Sequence, residues 1–206
     1  MLIFVDLILG PLLVFIIYKK DKKYLTFDIN VLLSIQLFAF FWGAYSLYLK
    51  HPAYVVFVGD RFTLTNVSHL YPQLPWFEQL KTNFFSSPKF VIAKAPGNTK
   101  ERNALLFEVM LNGAPDIDER PEYYEPFKKH LDSVMNKSLN SEQLFSTSSN
   151  KNKLDEFIKQ HGGIVDDYSF FPLIGNNKKE MIWVFDRATA KPVDIIDSDP
   201  WVLAKK

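Results

Sequence analysis

The chain has 206 residues and a formal net charge of +1, so its overall charge does not point to nucleic acid as a partner. It has no cysteine, which excludes disulfide bonds, thiolate catalysis and cysteine-ligated zinc. This length allows one or two domains, and 19 Phe, 9 Tyr and 4 Trp predict an aromatic-rich core.

Two apolar segments, residues 1–18 and 29–49, predict a transmembrane helical hairpin over residues 1–50. The second segment carries no formal charge, and a helix of its length crosses a hydrocarbon core of about 30 Å. The first segment is at the short end of the spanning range and contains Asp6. Because Met1 opens directly onto an apolar run without a polar flank, we expect the native chain to begin further upstream.

The connector between the two segments predicts the orientation of the hairpin. Loop 19–24 contains four lysines and one aspartate, a charge of +3. Short lysine-rich loops stay in the cytoplasm, so both distal ends of the hairpin should face outwards. Residues 52–206 are therefore predicted to form a periplasmic domain of a multi-pass protein of the bacterial inner membrane.

Five residues of the hairpin are candidates for helix contact or partner binding, namely Asp6, Gly10, Pro11, Asn30 and Gln36. An ionisable group at membrane depth suggests a function, although Asp6 near the start of a short helix can also sit hydrated at the interface, which we favour. Gly10 and Pro11 can kink the first helix and permit close approach of a neighbour. The amides of Asn30 and Gln36 favour a facing helix over lipid.

The first half of the outer domain predicts two strands and two helices. Residues 53–58 and 89–94 are short β-branched and aromatic runs with turn residues beside them. Residues 76–85 have helical spacing. A clearer helix follows Asn98, with Leu105, Leu106, Val109 and Met110 expected on one apolar face and Gly113 as its end.

The second half predicts helices followed by strands. Residues 121–137 are predicted helical, residues 136–152 a loop with a short helix near 142–145, and residues 154–161 a brief helix. Three short strand candidates, 168–175, 181–188 and 192–197, separated by turn residues, then predict a C-terminal antiparallel β-meander. The fold class is therefore α+β, a transmembrane hairpin followed by a mixed α+β extramembrane domain.

No phosphate-binding loop, dinucleotide turn, nucleophile elbow or zinc-protease spacing is present. The four histidines, His51, His69, His130 and His161, lack metal-ligand spacing. Two acidic clusters could carry acid–base or cation chemistry but more often form solvated loops; they are Asp116, Asp118, Glu119, Glu122 and Glu125, and then Asp194, Asp197 and Asp199. We expect no catalytic residue, no metal and no cofactor.

Two Asp-Arg pairs each follow a predicted strand. Asp60 and Arg61 follow the first strand of the domain, and Asp186 and Arg187 follow the second strand of the meander. We expect structural roles for them, as strand-end ion pairs or turn contacts.

Several of these segments resemble the type IV pilin accessory proteins of the TfpX/TfpZ type. The similarity is carried by DLILGPLL (residues 6–13), the two lysines after Tyr18, FDINVLLSIQLFAFFWGAYSLY, Arg61-Phe62 and the closing FFPLIGNNKKEMIWVFDRATAKPVDIIDSDPW. It covers both ends well and residues 72–152 only loosely. Members of that family have a further apolar helix upstream of the DLILGPLL run.

The resemblance implies a chaperone-like inner-membrane factor that binds or stabilises the major pilin before assembly of the type IV pilus. Its expected partners are the pilin and the lipid bilayer, with no nucleic acid and no small-molecule substrate. The family provides no catalytic residue, so we expect a protein that is not an enzyme. The alternative is a membrane-tethered enzyme or sensor that uses the acidic clusters.

Overall fold

The structure is a computed structural model that describes Phe15 and residues 24–72, 88–146, 148–175 and 178–201. The chain divides into two compact units, Met1–His51 and Pro52–Lys206. The first predicted span, with Asp6, Gly10 and Pro11, lies outside the described residues, as do residues 19–23 of the basic loop and the predicted helix 76–85.

Helix α1 spans Leu25–Leu49 and belongs to the first unit. At 1.5 Å per residue its 25 residues extend over roughly 37 Å, more than the thickness of a hydrocarbon core. Asp28 in the first turn is its one formally charged side chain. Among the described residues α1 is the single helix long and apolar enough to cross a membrane. The predicted two-helix hairpin is thus represented by one candidate span, which begins four residues earlier than expected.

The second unit is built on a seven-stranded mixed sheet with the strand order β4-β3-β1-β2-β5-β6-β7. The strands are β1 Pro52–Val58, β2 Arg61–Asn66, β3 Lys89–Ala93, β4 Tyr124–Pro126, β5 Tyr168–Ile174, β6 Glu180–Asp186 and β7 Pro192–Ile196. β1 and β2 form a hairpin whose turn contains Gly59 at φ 63°, a backbone angle that favours glycine. β3 pairs in parallel with β1, and β5 pairs in parallel with β2.

Four α-helices and five 3₁₀ turns connect these strands within the described part of the domain. The helices are α2 Thr99–Asn112, α3 Leu131–Met135, α4 Ser141–Leu144 and α5 Ser148–His161. The 3₁₀ turns are η1 Val67–His69, η2 Ile117–Glu119, η3 Pro121–Tyr123, η4 Phe127–His130 and η5 Val165–Asp167.

The two faces of the sheet carry separate hydrophobic cores because successive strand residues point to opposite sides. Phe170, Ile182 and Val184 pack on one face with Leu154 and Phe157 of α5. The opposite face carries a cluster of aromatic rings centred on Phe62, together with Val134 of α3. Strands β5 and β6 therefore contribute side chains to both cores, because successive residues point to opposite faces of the sheet.

The sheet curls around the aromatic cluster. The ring centroid of Phe62 lies 4.9 Å from that of Phe57, 5.2 Å from Trp183 and 5.3 Å from Phe185. Phe90 of β3 reaches within 5.6 Å of Trp183 of β6, although β1, β2 and β5 lie between their strands in the sheet order. Only a strongly bent sheet brings these two rings into contact.

The predicted C-terminal meander is confirmed, since β5, β6 and β7 pair antiparallel in sequence order. The prediction of a continuous helix over residues 121–137 is wrong. Pro126 lacks a backbone donor and disfavours helical geometry before it, and Tyr124–Pro126 pairs with β3 as edge strand β4. The predicted loop 136–152 is also shorter than expected because α5 begins at Ser148.

Candidate functional site

The surface of α1 is apolar around its whole circumference, with few polar groups. The hydroxyls of Ser34 and Ser46 donate to carbonyl oxygens one turn earlier, at 2.8 and 2.9 Å, which satisfies them within the helix. Asn30 is exposed. The Nε2 atom of Gln36 is buried and has no hydrogen-bond partner among the described residues. A side-chain amide near the middle of a membrane-spanning helix can bond to another helix, so Gln36 remains a candidate contact.

The first Asp-Arg pair lies in the β1–β2 hairpin. Asp60 is exposed in the turn, and Arg61 is half-buried at the start of β2. Burial raises the pKa of the Asp118 carboxyl, and the positive charge of Arg61 offsets part of this effect. No ion pair joins Asp60 to Arg61 within the described ranges.

The second pair stabilises the turn between β6 and β7. Asp186 accepts hydrogen bonds from the backbone N–H and the hydroxyl of Thr189, each at 2.7 Å, and these bonds lower the pKa of its carboxyl. Arg187 donates to the carbonyl of Tyr168 at 3.1 Å and to Ser169 at 3.4 Å. In the part of the chain that the structure describes, Asp186 and Arg187 form no ion pair with each other.

Arg120 is the centre of the acidic segment between α2 and β4. Its side chain is 5% exposed, and Nη2 donates to Oε2 of Glu108 at 2.9 Å. Nε donates to the carbonyl of Pro115 at 2.9 Å, and the guanidinium lies 4.9 Å from the ring centroid of Tyr71. Glu122 is a weaker partner at 3.9 Å. The segment therefore anchors the end of α2 to the body of the domain.

Two carboxyls of this segment have raised pKa values. Burial and the neighbouring charge of Asp116 raise the pKa of Asp118, while burial and Asp118 raise that of Glu119. The main-chain carbonyl of Asp118 accepts from the hydroxyls of Thr65 at 2.8 Å and Tyr124 at 2.5 Å, and burial raises the pKa of Tyr124. These contacts fix η2 against the sheet.

Three of the histidines and several further carboxylates of the two acidic clusters form pairs. Lys179 donates to Asp197 at 2.7 Å, and this bond lowers the pKa of Asp197. Further pairs are His130–Glu125 at 2.5 Å, His69–Glu119 at 3.5 Å and His161–Asp194 at 3.6 Å. The carboxylate of Asp199 accepts from the backbone of Trp201. In the part of the chain that the structure describes, no group of three or more His, Asp or Glu is placed to hold a metal ion.

An apolar groove of about 730 Å³ opens beside the aromatic cluster, between β3–β4 and the β6–β7 turn. Phe90, Phe127, Leu131 and Phe185 form its floor, and Lys89 and Lys128 lie among its lining residues. Its volume and its largely apolar lining lie within the range of binding pockets in proteins.

Helix α2 departs most from the sequence prediction. Leu105 is buried, but Leu106 is 51% exposed and Met110 is 80% exposed, so the predicted core face is wrong for these two residues. Phe107 and Leu111 are also exposed, at 63% and 75%. Neither residue was predicted to be exposed, although the run 104–111 has apolar residues on more than one side of the helix.

The chain is similar to fimbrial assembly proteins of Dichelobacter nodosus. It is 26% identical to the serogroup E1 protein and 28% identical to the serogroup I protein, in each case over 94% of this chain and 78% of the relative. A 58-residue stretch is 42% identical to the protein of serogroups C1 and C2, covering 27% of this chain and 44% of that protein. No protein-family profile and no solved structure matches the chain. The similarity to fimbrial assembly proteins thus extends over both structural units.

Proposed function

We propose that this protein is a membrane-anchored accessory factor of type IV pilus biogenesis that binds or stabilises the pilin before assembly. The observation that carries the proposal is the similarity over 94% of the chain to two fimbrial assembly proteins. A match of that length covers α1 and the sheet domain together, which supports a shared architecture rather than one shared segment.

The proposed location is the bacterial inner membrane, with α1 as one of two spans and residues 52–206 in the periplasm. Support comes from the length and apolar surface of α1 and from the four lysines of loop 19–24. Because the chain lacks cysteine, one introduced cysteine reports the location of its own position. A Glu101→Cys variant should react with a membrane-impermeant maleimide in cells with a permeabilised outer membrane. Reaction only after lysis would contradict the periplasmic location.

The proposed pilin contact includes the polar positions of α1. A pilin that waits in the bilayer through an apolar helix can meet α1 side by side, and the Gln36 amide can then bond across the helix interface. Asn30 lies six residues earlier and offers a second amide. Ser34 serves as a matched control because its hydroxyl bonds within α1.

Co-purification tests this contact. Gln36→Leu should reduce the amount of pilin captured with the detergent-solubilised protein, whereas Ser34→Ala should not change it. In the same bacterium, deletion of the gene should reduce surface pili and leave pilin transcription unchanged. Normal piliation in the deletion strain would reject the proposal.

We further propose that the protein is not an enzyme. Several of the acidic residues that offered an enzymatic alternative have structural partners: Glu122 lies 3.9 Å from Arg120, Glu125 pairs with His130, and Asp197 pairs with Lys179. The raised pKa values of Asp118 and Glu119 are the feature that favours the alternative. If the protein is not an enzyme, Asp116→Asn and Asp118→Asn variants should support piliation at the wild-type level. Loss of piliation in correctly folded variants would favour the enzyme or sensor.

A further inference from the structure

The C-terminal half of α2 presents apolar side chains to solvent. We define the α2 apolar face as Leu106, Phe107, Met110 and Leu111, which are 51%, 63%, 80% and 75% exposed. Residues four positions apart are neighbours on a helix surface, so Leu106 lies beside Met110 and Phe107 beside Leu111. Leu105 is buried on the side that faces the domain. A helix that is apolar on several sides is normally covered.

The size of this face limits what can cover it. With about 200 Å² for a full apolar side chain, the exposed fractions give on the order of 500 Å². This is at the upper end of apolar patches on monomeric proteins, which reach about 300–600 Å². It is smaller than the roughly 800 Å² per partner that a stable protein interface buries. By itself the face is therefore too small to hold a second copy of the chain.

The chain connects this part of the domain closely to α1. Only Lys50 and His51 separate the end of α1 at Leu49 from the start of β1 at Pro52. Three peptide units reach at most about 11 Å, so Pro52 stays near the end of the candidate span. A domain tethered this closely has constant access to the surface of a bilayer that holds α1.

Contacts within the domain connect α2 to the end of the sheet at which β1 begins. Pro52 pairs with Asn66 at the end of β2, and the chain continues from there through η1 to Tyr71. The ring of Tyr71 lies against the guanidinium of Arg120, which donates to Glu108 of α2. Within the domain, these contacts connect the C-terminal half of α2, through Glu108, to the end of the sheet where β1 begins and β2 ends.

The charges on α2 suit a lipid surface. The polar first half of the helix carries exposed Lys100, Glu101 and Arg102, a net charge of +1, and the Arg102 guanidinium also donates to the carbonyl of Pro96. Lys100 and Arg102 can meet anionic headgroups. Glu108 is the one acidic residue within the apolar half, and its carboxylate is hydrogen-bonded to Arg120. An unpaired carboxylate would oppose burial in the interface, and this pairing reduces that cost.

We propose that the α2 apolar face lies in the boundary between headgroups and acyl chains of the phospholipid bilayer that holds α1. The partner is thus a lipid surface, and the helix acts as a second, interfacial contact that restricts the orientation of the domain. This inference rests on the proposed insertion of α1 in the membrane.

Site-directed spin labelling of the full chain tests the proposal. Met110→Cys, Asp155→Cys and Phe38→Cys are labelled separately and placed in nanodiscs of phosphatidylethanolamine and phosphatidylglycerol. Asp155 is an exposed position of α5, and Phe38 lies in the middle of α1. The ratio of relaxation by oxygen to relaxation by a water-soluble nickel chelate should be at least roughly threefold higher at positions 110 and 38 than at position 155. Leu111→Cys replaces Met110→Cys if the latter does not fold.

Each other outcome overturns the inference in a distinguishable way. A label at position 110 that is open to nickel, with position 38 in lipid, contradicts the inference alone. Shielding of position 110 from both reagents means that protein covers the face, a second copy or another partner, and also contradicts it. Nickel access at position 38 contradicts the insertion of α1 and, with it, the proposed function.

Discussion

Helices α2 and α5 have the same length of 14 residues but use their apolar side chains differently. α5 buries Leu154 and Phe157 at 7% and 4% exposure, and Ile158 packs beside them on the sheet. α2 buries Leu105 and leaves four large apolar side chains exposed to solvent. The fold thus uses the apolar pattern of α5 completely and that of α2 only in part.

This difference separates residues that maintain the domain from residues available to a partner. The apolar positions of α5 follow i, i+3 and i+4 spacing, and one sheet face accounts for all of them. The four exposed apolar side chains of α2 belong to neither hydrophobic cluster. The comparison therefore points to α2 as an interaction element and to α5 as a structural one.

The largest effect on stability is expected in α5. Phe157→Ala removes a ring that packs against Tyr168 at 4.9 Å and His161 at 4.6 Å, and should lower the free energy of unfolding by about 3–5 kcal/mol. Phe107→Ala in α2 should change it by less than about 0.5 kcal/mol because the ring is exposed. Urea denaturation of the detergent-solubilised protein measures both. Equal losses would remove the distinction between the two helices.

A smaller effect is expected at the anchor of α2. Arg120→Met removes charged hydrogen bonds to Glu108 and Pro115 and the contact with Tyr71, and should cost about 2–3 kcal/mol. Glu108→Gln keeps an acceptor at the half-exposed partner and should cost less than about 1 kcal/mol. The same denaturation experiment compares the two, and an equal cost would show that Arg120 acts through Glu108 alone.

The N-terminus of α2 offers a third test. The Asn98 side chain accepts from the backbone N–H of Lys100 at 3.0 Å and caps the helix. Asn98→Ala should destabilise the domain by about 1 kcal/mol, whereas Asn98→Asp keeps the acceptor and should be nearly neutral. Thermal melting followed by circular dichroism is sufficient. A neutral alanine variant would mean that α2 is held by its C-terminal end alone.

The smallest effect concerns pH and the segment that anchors α2. Asp118 has a pKa above its ordinary value of 3.8 because of burial and Asp116, so its ionised form opposes folding. Ionised Asp118 therefore lowers the stability of the fold at pH values above its folded-state pKa. This effect vanishes below the pKa that Asp118 has in the unfolded chain. Asp118→Asn should therefore raise the melting temperature at pH 7 and leave it unchanged near pH 3.

Asp186 provides the opposite case for the same experiment. Hydrogen bonds from Thr189 lower the pKa of Asp186, so ionised Asp186 stabilises the fold. This stabilisation is complete above the pKa of Asp186 in the unfolded chain and is lost as pH falls through its folded-state pKa. Asp186→Asn should lower the melting temperature at pH 7 and lose its effect in acid. The same sign for both variants at pH 7 would contradict the assignment.

Local patterns predicted the elements whose partners are close in sequence. The short apolar runs at residues 168–175 and 181–188, bounded by turn residues, predicted β5 and β6, which follow each other in sequence and pair with each other. Asn98 and Gly113 mark the ends of α2 because their effects are local, a side-chain cap and a left-handed backbone. These features required no knowledge of the rest of the chain.

Features that depend on distant partners could not be predicted. The parallel pairing of β1 with β3 and the short edge strand β4 follow from contacts across long stretches of sequence. The role of Arg120 depends on Tyr71 and Glu108, neither of which is adjacent to it. For α2, the run from Ala104 to Leu111 is apolar on several sides of the helix, so periodicity could not identify which side is buried against the domain.

Counting surface pili in a deletion strain complemented with variants tests the central claim most directly. The account predicts that Phe107→Ser combined with Met110→Ser accumulates normally but leaves at least several-fold fewer pili than wild type. The matched α5 variant, Asp155→Ser with Lys159→Ser, changes two exposed residues and should restore piliation fully. Wild-type piliation with the α2 variant would contradict the proposed role of the exposed α2 face.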